Sequence, residues 1–195
     1  MSEPLLGVLG GMGPLASAHF MRRLTMLTPA ERDQDHIPAI LWSDPRVPDR
    51  TRGKLEGGAD PLPWLLRGIR GLRAAGCGAI AIPCNTAHGW HDDLAAEGLP
   101  ILHIVDAAAA ELRKRVPAGA IGVMGTAATL GMRLYQNRLE SQGWTCLVPS
   151  EAEMQTRVSP AIRLVKANRV QDAYEPLAAV VASLAARGAR AVVLG

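Results

Sequence analysis

Short apolar runs of strand length alternate with helical periodicities along almost the whole chain. Leu5 to Leu9 reads as a first strand, Leu15 to Leu27 as a helix and Ala39 to Trp42 as a second strand. From Pro61 to Ala75, Leu62, Leu65, Leu66, Ile69 and Leu72 fall on one helical face, and Gly76 ends the helix. Ala79 to Pro83 has the character of a buried strand, with a helix expected through Leu94. Pro100 to Val105 is the next strand, and Asp106 is placed as the cap of an alanine-rich helix. The pattern then begins again: strand from Ala120 to Met124, helix to Gln142 stopped by Gly143, strand from Cys146 to Val148. Ser150 and Glu153 form a capping-box signature. A long helical region follows, with interruptions expected at Pro160 and Pro176, and Ala191 to Leu194 is a final strand. Strands of this kind separated by helices predict an α/β fold of mainly parallel sheets flanked by helices.

The second half repeats the first. Gly7 to Leu24 aligns without gaps on Gly122 to Leu139, with six identities, and Phe20 stands opposite Tyr135. A second match joins Leu72–Gly76 and the strand after it to Leu184–Gly188 and the final strand. Two similar α/β lobes are therefore expected, residues 1–105 and 106–195, related by a pseudo-twofold axis with an active site in the cleft between them. In this register Cys84 falls opposite position 196.

Composition narrows the function classes. Of 195 residues, 48% are apolar and 20% charged, with a net charge of only +3. This is the profile of a globular protein, and no stretch approaches the ~20 apolar residues of a membrane span. Basic residues such as Arg67, Arg70 and Arg73 form no stripe with interleaved aromatics, which argues against nucleic acid as a partner. The N-terminus has no signal-peptide pattern, and the expected location is cytoplasmic. Three cysteines (Cys77, Cys84 and Cys146) are an odd number without metal-ligand spacing, so free thiols are expected and no metal site.

Three segments could carry chemistry. Cys84, in Ile82-Pro83-Cys84-Asn85-Thr86-Ala87-His88, lies at the carboxyl end of a strand, where open α/β sheets bind ligands. A helix starting at Asn85 or Thr86 would aim its N–H groups at the thiol and favour a usable thiolate. Cys77 and Cys146 read as small buried hydrophobes. The loop Gly10-Gly11-Met12-Gly13-Pro14 offers backbone N–H groups to an anion. Gly11-x-Gly13-x-x-Ala16 also meets a loose dinucleotide fingerprint. Against an NAD-dependent oxidoreductase, Pro14 removes an N–H, and Asp44 comes about 30 residues on rather than the ~20 of that fingerprint. The stiff loop Ser43 to Thr51 presents Arg46 and Arg50, residues suited to planar capture of a carboxylate. The only lysines are Lys54, Lys114 and Lys166, and nothing spells the set of groups that pyridoxal phosphate needs.

Gly-Gly-Met-Gly-Pro at 10–14, Asp-Pro-Arg-Val-Pro-Asp-Arg at 44–50 and Pro-Cys-Asn-Thr-Ala-His at 83–88 together resemble the aspartate racemase branch of the Asp/Glu racemase superfamily, over essentially the whole chain. The glutamate racemase branch is a weaker match, because its first loop begins with an Asp-Ser pair absent here. The resemblance implies a homodimer and racemisation of an acidic amino acid, aspartate ahead of glutamate, by two thiols, without cofactor. Carried over, Cys84 matches the first-lobe base. Asn85 and Thr86 match groups on the α-carboxylate, with Met12 and Gly13 lining the same pocket. Arg50 and Lys166 match ligands of the side-chain carboxylate, and Thr126 lines the second-lobe wall. The family's second cysteine belongs to a Gly-Cys-Thr-Glu segment, and this sequence stops at that glycine, so the resemblance also implies a chain cut short. Two other readings stay open: a dicarboxylate-binding protein of the same fold without turnover, and the dinucleotide enzyme.

Overall fold

The computed structural model describes residues 5–195, which form two compact units meeting in sequence at Ile104 and Val105. The first carries four parallel strands in the order β2-β1-β3-β4: β1 (Leu5–Gly10), β2 (Ala39–Ser43), β3 (Cys77–Ala81) and β4 (Ile101–Leu102). The interior strand β1 is buried over its last four residues, as a strand covered on both faces must be. Helix α1 (Pro14–Leu27) carries the chain from β1 to β2. Helices α2 (Arg50–Leu55) and α3 (Leu62–Ala74) carry it back past β1 to β3. The winding thus reverses between β1 and β3, and right-handed crossovers then place α1 and α3 on opposite faces. Leu65, Ile69 and Leu72 of α3 are fully buried in a core shared with Leu9, Ile80 and Trp90. Gly71 lets α3 lie directly on Trp42, whose ring a Cβ there would strike.

The second unit has three parallel strands in the order β6-β5-β7: β5 (Gly119–Met124), β6 (Trp144–Leu147) and β7 (Ala191–Leu194). The repeat seen in the sequence reappears in the pairing. Leu6, Gly7 and Val8 face Ala79, Ile80 and Ala81, while Ile121, Gly122 and Val123 face Ala191, Val192 and Val193. Val180 and Leu184 of α10 (Val170–Ala186) pack with Met124 and Val158 to form its core. Among the described residues no helix is long and apolar enough to cross a membrane.

The α/β class and parallel sheets are those the hydrophobic pattern predicts, with local corrections. The strand expected to reach Pro83 ends at Ala81, since proline has no N–H to give a ladder. The helix expected after Cys84 is a 3-10 turn, Thr86–Trp90, followed by α4 (His91–Ala95). Asp106 does not cap a helix. It lies inside the first turn of α5 (Ile104–Arg115), where its carboxylate accepts two hydrogen bonds from Arg138 at 2.8 and 2.9 Å. The helix expected to run unbroken to Gln142 is two, α6 (Ala127–Gly131) and α7 (Leu134–Glu140), separated at Arg133 with φ 53°. Pro160 sits harmlessly in the first turn of α9 (Ser159–Lys166), and Pro176 lies inside α10 without ending it. The chain breaks instead at Asn168, φ 61°. The Ser150–Glu153 capping box forms as expected, opening α8 (Glu151–Glu153).

Candidate active site

The winding reverses between β1 and β3, and open α/β sheets take ligands outside the carboxyl ends of the strands at such a point. Both the glycine loop and the Cys84 segment emerge there. After Gly10 the chain turns at Gly11, φ +89°. A Cβ at Gly11 would meet the Asp44 backbone, 2.5 Å from its carbonyl carbon, so only glycine fits. The Gly11 N–H donates to the Ser17 hydroxyl at 2.8 Å, and that hydroxyl donates to the Gly13 carbonyl at 3.0 Å. Ser17 is fully buried, so helix α1 clamps its own leading loop. The N–H expected to receive an anion at Gly11 is therefore already used.

Arg50 closes the loop from the other side. Asp49 caps α2 through the N–H groups of Thr51 and Arg52, which puts Arg50 in its first turn. Its guanidinium is buried and donates to the carbonyls of Met12 (3.0 Å), Val47 (3.2 Å) and Pro48 (3.0 Å). Its Nε–H is buried and has no hydrogen-bond partner among the described residues. Arginine carries five N–H donors, so the side chain fixes the loop and still keeps capacity for a carboxylate. Arg46 differs: it is exposed and forms a bidentate pair with Asp44 at 2.8 and 2.9 Å, which holds that carboxyl below its ordinary range. Of the two guanidinium groups anticipated in this loop, that of Arg46 is engaged by Asp44.

Cys84 lies three residues beyond β3 and is 8% exposed. Its N–H donates to the Ile82 carbonyl at 2.8 Å, and its own carbonyl accepts from His88 Nδ1 at 2.9 Å. Met12, Val47, Cys84, Ala87 and Trp90 belong to one buried cluster, and Lys54 of α2 stands 4.9 Å above the Trp90 ring. The glycine loop, the loop before Arg50 and the Cys84 segment thus all contribute side chains to the core of the first unit. Thr86 is buried there and Asn85 half-buried; Gly13 is half-buried at the rim.

Burial pushes the thiol of Cys77 up, and that of Cys146, lying in β6, up to about 11; both stay protonated at neutral pH. In the second unit, Thr126 caps α6, accepting from the Thr129 N–H at 3.0 Å, and Lys166 is exposed at the end of α9. Among the described residues no group of three or more His, Cys, Asp and Glu side chains could hold a metal ion.

Sequence reasoning singled out Cys84 and Arg50 but gave no specific part to Ser17 or His88, whose partners are set by the fold. The only sequence signal for Ser17 is a small polar residue one turn into the helix after a glycine loop.

A thiol and a buried guanidinium thus stand beyond the carboxyl ends of the strands of a parallel sheet, where open α/β proteins take their ligands. The Asp/Glu/hydantoin racemase model matches residues 9–195, and the chain belongs to that family. It is similar to the broad-specificity amino-acid racemase RacX of Bacillus subtilis, 29% identical over 150 residues, covering 71% of this chain and 62% of that protein. The chain therefore spans about three fifths of the length of that curated relative. Among solved structures, the aspartate racemase of Picrophilus torridus superposes with a TM-score of 0.87 at 29% identity, over 97% of this chain and 79% of that one. An aspartate racemase homologue from Pyrococcus horikoshii shares the fold at 21% identity, TM-score 0.75, over 99% of this chain and 85% of that one.

Proposed function

We propose that this chain catalyses proton transfer at the α-carbon of an amino acid, as a cofactor-independent racemase, with Cys84 as one of its bases. The Cys84 thiolate takes the α-proton and becomes a thiol, and the electron pair left on carbon spreads onto the α-carboxylate. Return of a proton to the opposite face, from the second thiol that the resemblance implies, gives the mirror-image amino acid; return from Cys84 restores the original. The observation that carries the reading is Cys84 itself: a nearly buried thiol beyond the end of β3, both of its main-chain groups tied, packed in one cluster with Met12 and Val47.

Asn85 and Thr86 hold the α-carboxylate in this reading, and Met12 and Gly13 line the pocket. Arg50 takes the side-chain carboxylate, supported by its buried, unpartnered Nε–H. Lys166 and Thr126 are assigned to the same substrate by resemblance alone. An acidic substrate follows from Arg50 and accords with the aspartate racemase of Picrophilus torridus; the Bacillus relative bears the name of a broad-specificity enzyme. Chiral chromatography of single enantiomers of aspartate, glutamate, alanine and lysine incubated with the protein decides this. Aspartate is expected to interconvert fastest, and Arg50→Ala to lower its kcat/KM by roughly 10–100-fold, the worth of a charged hydrogen bond. Enantiomers of all four unchanged would sink the reading. In solution a mass of twice the chain is expected for the homodimer, and a monomer by sedimentation equilibrium would remove that part.

A further inference from the structure

His88 is 3% exposed, and both of its ring nitrogens are engaged. Nδ1 lies 2.9 Å from the Cys84 carbonyl, which can only accept, and Nε2 receives the Ile104 N–H at 3.2 Å. The carbonyls of Leu102 and Asn85 also bond to the ring and favour its charged form, but the Ile104 N–H at Nε2 calls for a neutral ring with its proton on Nδ1. Burial pushes its pKa down, which favours the same state. The Cys84 N–H is meanwhile held by the Ile82 carbonyl, so His88 completes a tie on both main-chain groups of this residue. The imidazole thus joins the peptide that carries the thiol to the first residue of α5.

We propose that His88 is a positioning residue for Cys84, fixing through the Nδ1–H bond to its carbonyl the direction in which the thiol leaves the backbone. This inference rests on the racemase reading for its kinetic consequence, but its structural content concerns the thiol alone. Proton abstraction from carbon needs the base at a defined place, and a displacement near 1 Å costs on the order of 100-fold in rate without altering substrate affinity. The effect belongs in kcat rather than KM.

Two substitutions separate positioning from mere support of the fold, because each keeps one of the two bonds. The carboxamide in His88→Asn stands near Nδ1 and can still donate to the Cys84 carbonyl, but cannot reach Ile104. The longer side chain in His88→Gln can accept from the Ile104 N–H, but places no donor at Cys84. His88→Leu keeps neither. The readouts are kcat and KM for α-proton exchange of aspartate, the rate of iodoacetamide alkylation at Cys84 resolved by peptide mass spectrometry, and a thermal melt. The expected result is that Asn retains kcat within about threefold, while Gln and Leu lose at least about tenfold at nearly constant KM. Alkylation of Cys84 should follow the same grouping, departing from the parent rate in Gln and Leu only. If folded Gln protein matches or exceeds Asn in kcat and in alkylation, or if Leu equals the parent, the proposal is overturned. If the parent exchanges no proton, the racemase reading fails, and the alkylation series still decides the part played by His88. Should Leu not fold, the comparison of Asn with Gln stands by itself.

Discussion

In the first lobe the turn after the central strand is held from outside itself: Ser17 takes the Gly11 N–H, and Arg50 donates to the Met12 carbonyl, 38 residues earlier in the chain. In the second lobe the matching turn closes on itself, with the Thr126 hydroxyl accepting from the N–H of Thr129 three residues later. Strand order and register repeat between the lobes, yet the helices that follow do not. The first runs unbroken over fourteen residues of α1, while the second stops after the five of α6. A locally capped turn is stable but can be tuned only from within. A turn fastened by remote side chains can carry an arginine whose remaining donors face something else. The repeat thus supplies the scaffold twice, and the contacts that do not repeat lie in the lobe that carries Cys84 and Arg50.

Exchanging the paired residues is the harshest way to break this comparison. Gly11→Thr forces a β-branched residue into φ +89° and against the Asp44 backbone, and should cost about 3 kcal/mol or more. Thr126→Gly, the reverse change in the second lobe, should cost only a few tenths of a kcal/mol, roughly what glycine costs at an N-cap. Urea denaturation reads both, and equal losses would refute the asymmetry. Ser17→Ala comes next: it leaves the buried Gly11 N–H without its acceptor and should cost about 1–3 kcal/mol, with a loss of activity beyond the unfolded fraction. Thr126→Ala should cost about 1 kcal/mol in a melt, and a loss as large as that of Ser17→Ala would mean the two turns are equally demanding.

The pH dependence of stability sharpens the picture further. Because His88 is buried neutral, its folded pKa lies below the usual 6.5, and the unfolded chain binds the extra proton. Stability should therefore be full above pH 6.5 and fall with decreasing pH until the folded pKa is passed, by at most about 1.4 kcal/mol per pH unit for one group. The rings of His91 and His103 lie 6.3 and 4.8 Å from that of His88. A His88→Asn protein whose acid limb matches that of the parent would show that His88 does not carry the slope. Arg46→Ala should have the smallest effect, below about 1 kcal/mol, because its ion pair with Asp44 is exposed on the arginine side. A loss of aspartate turnover comparable to that of Arg50→Ala would show that both guanidinium groups serve the substrate.

The α/β class, the strand at Ala191–Leu194 and the capping box at Ser150 were legible because each is written in neighbouring residues. So were the motifs around Cys84 and Arg50, whose residue types sit in short conspicuous runs. The errors came where the outcome depends on packing. Pro176 stays inside α10 because the rest of that helix is anchored by Ala173, Val180 and Leu184. Arg133 breaks a helix by adopting the left-handed region, which nothing in its identity announces. Arg46 and Arg50 look alike in sequence and separate only when one pairs with Asp44 and the other is buried beneath the glycine loop. Ser17 and His88 escaped for the same reason: a buried hydrogen bond to a turn is a property of the fold, not of a motif.

The most direct test of the central claim is proton NMR of L- and D-aspartate in D2O with the protein and with its Cys84→Ser variant. The account predicts that the α-proton signal of at least one enantiomer disappears with the parent protein, and that the serine variant slows this by about 100-fold or more. Exchange that persists undiminished in a folded Cys84→Ser protein would contradict the assignment of Cys84 as the base.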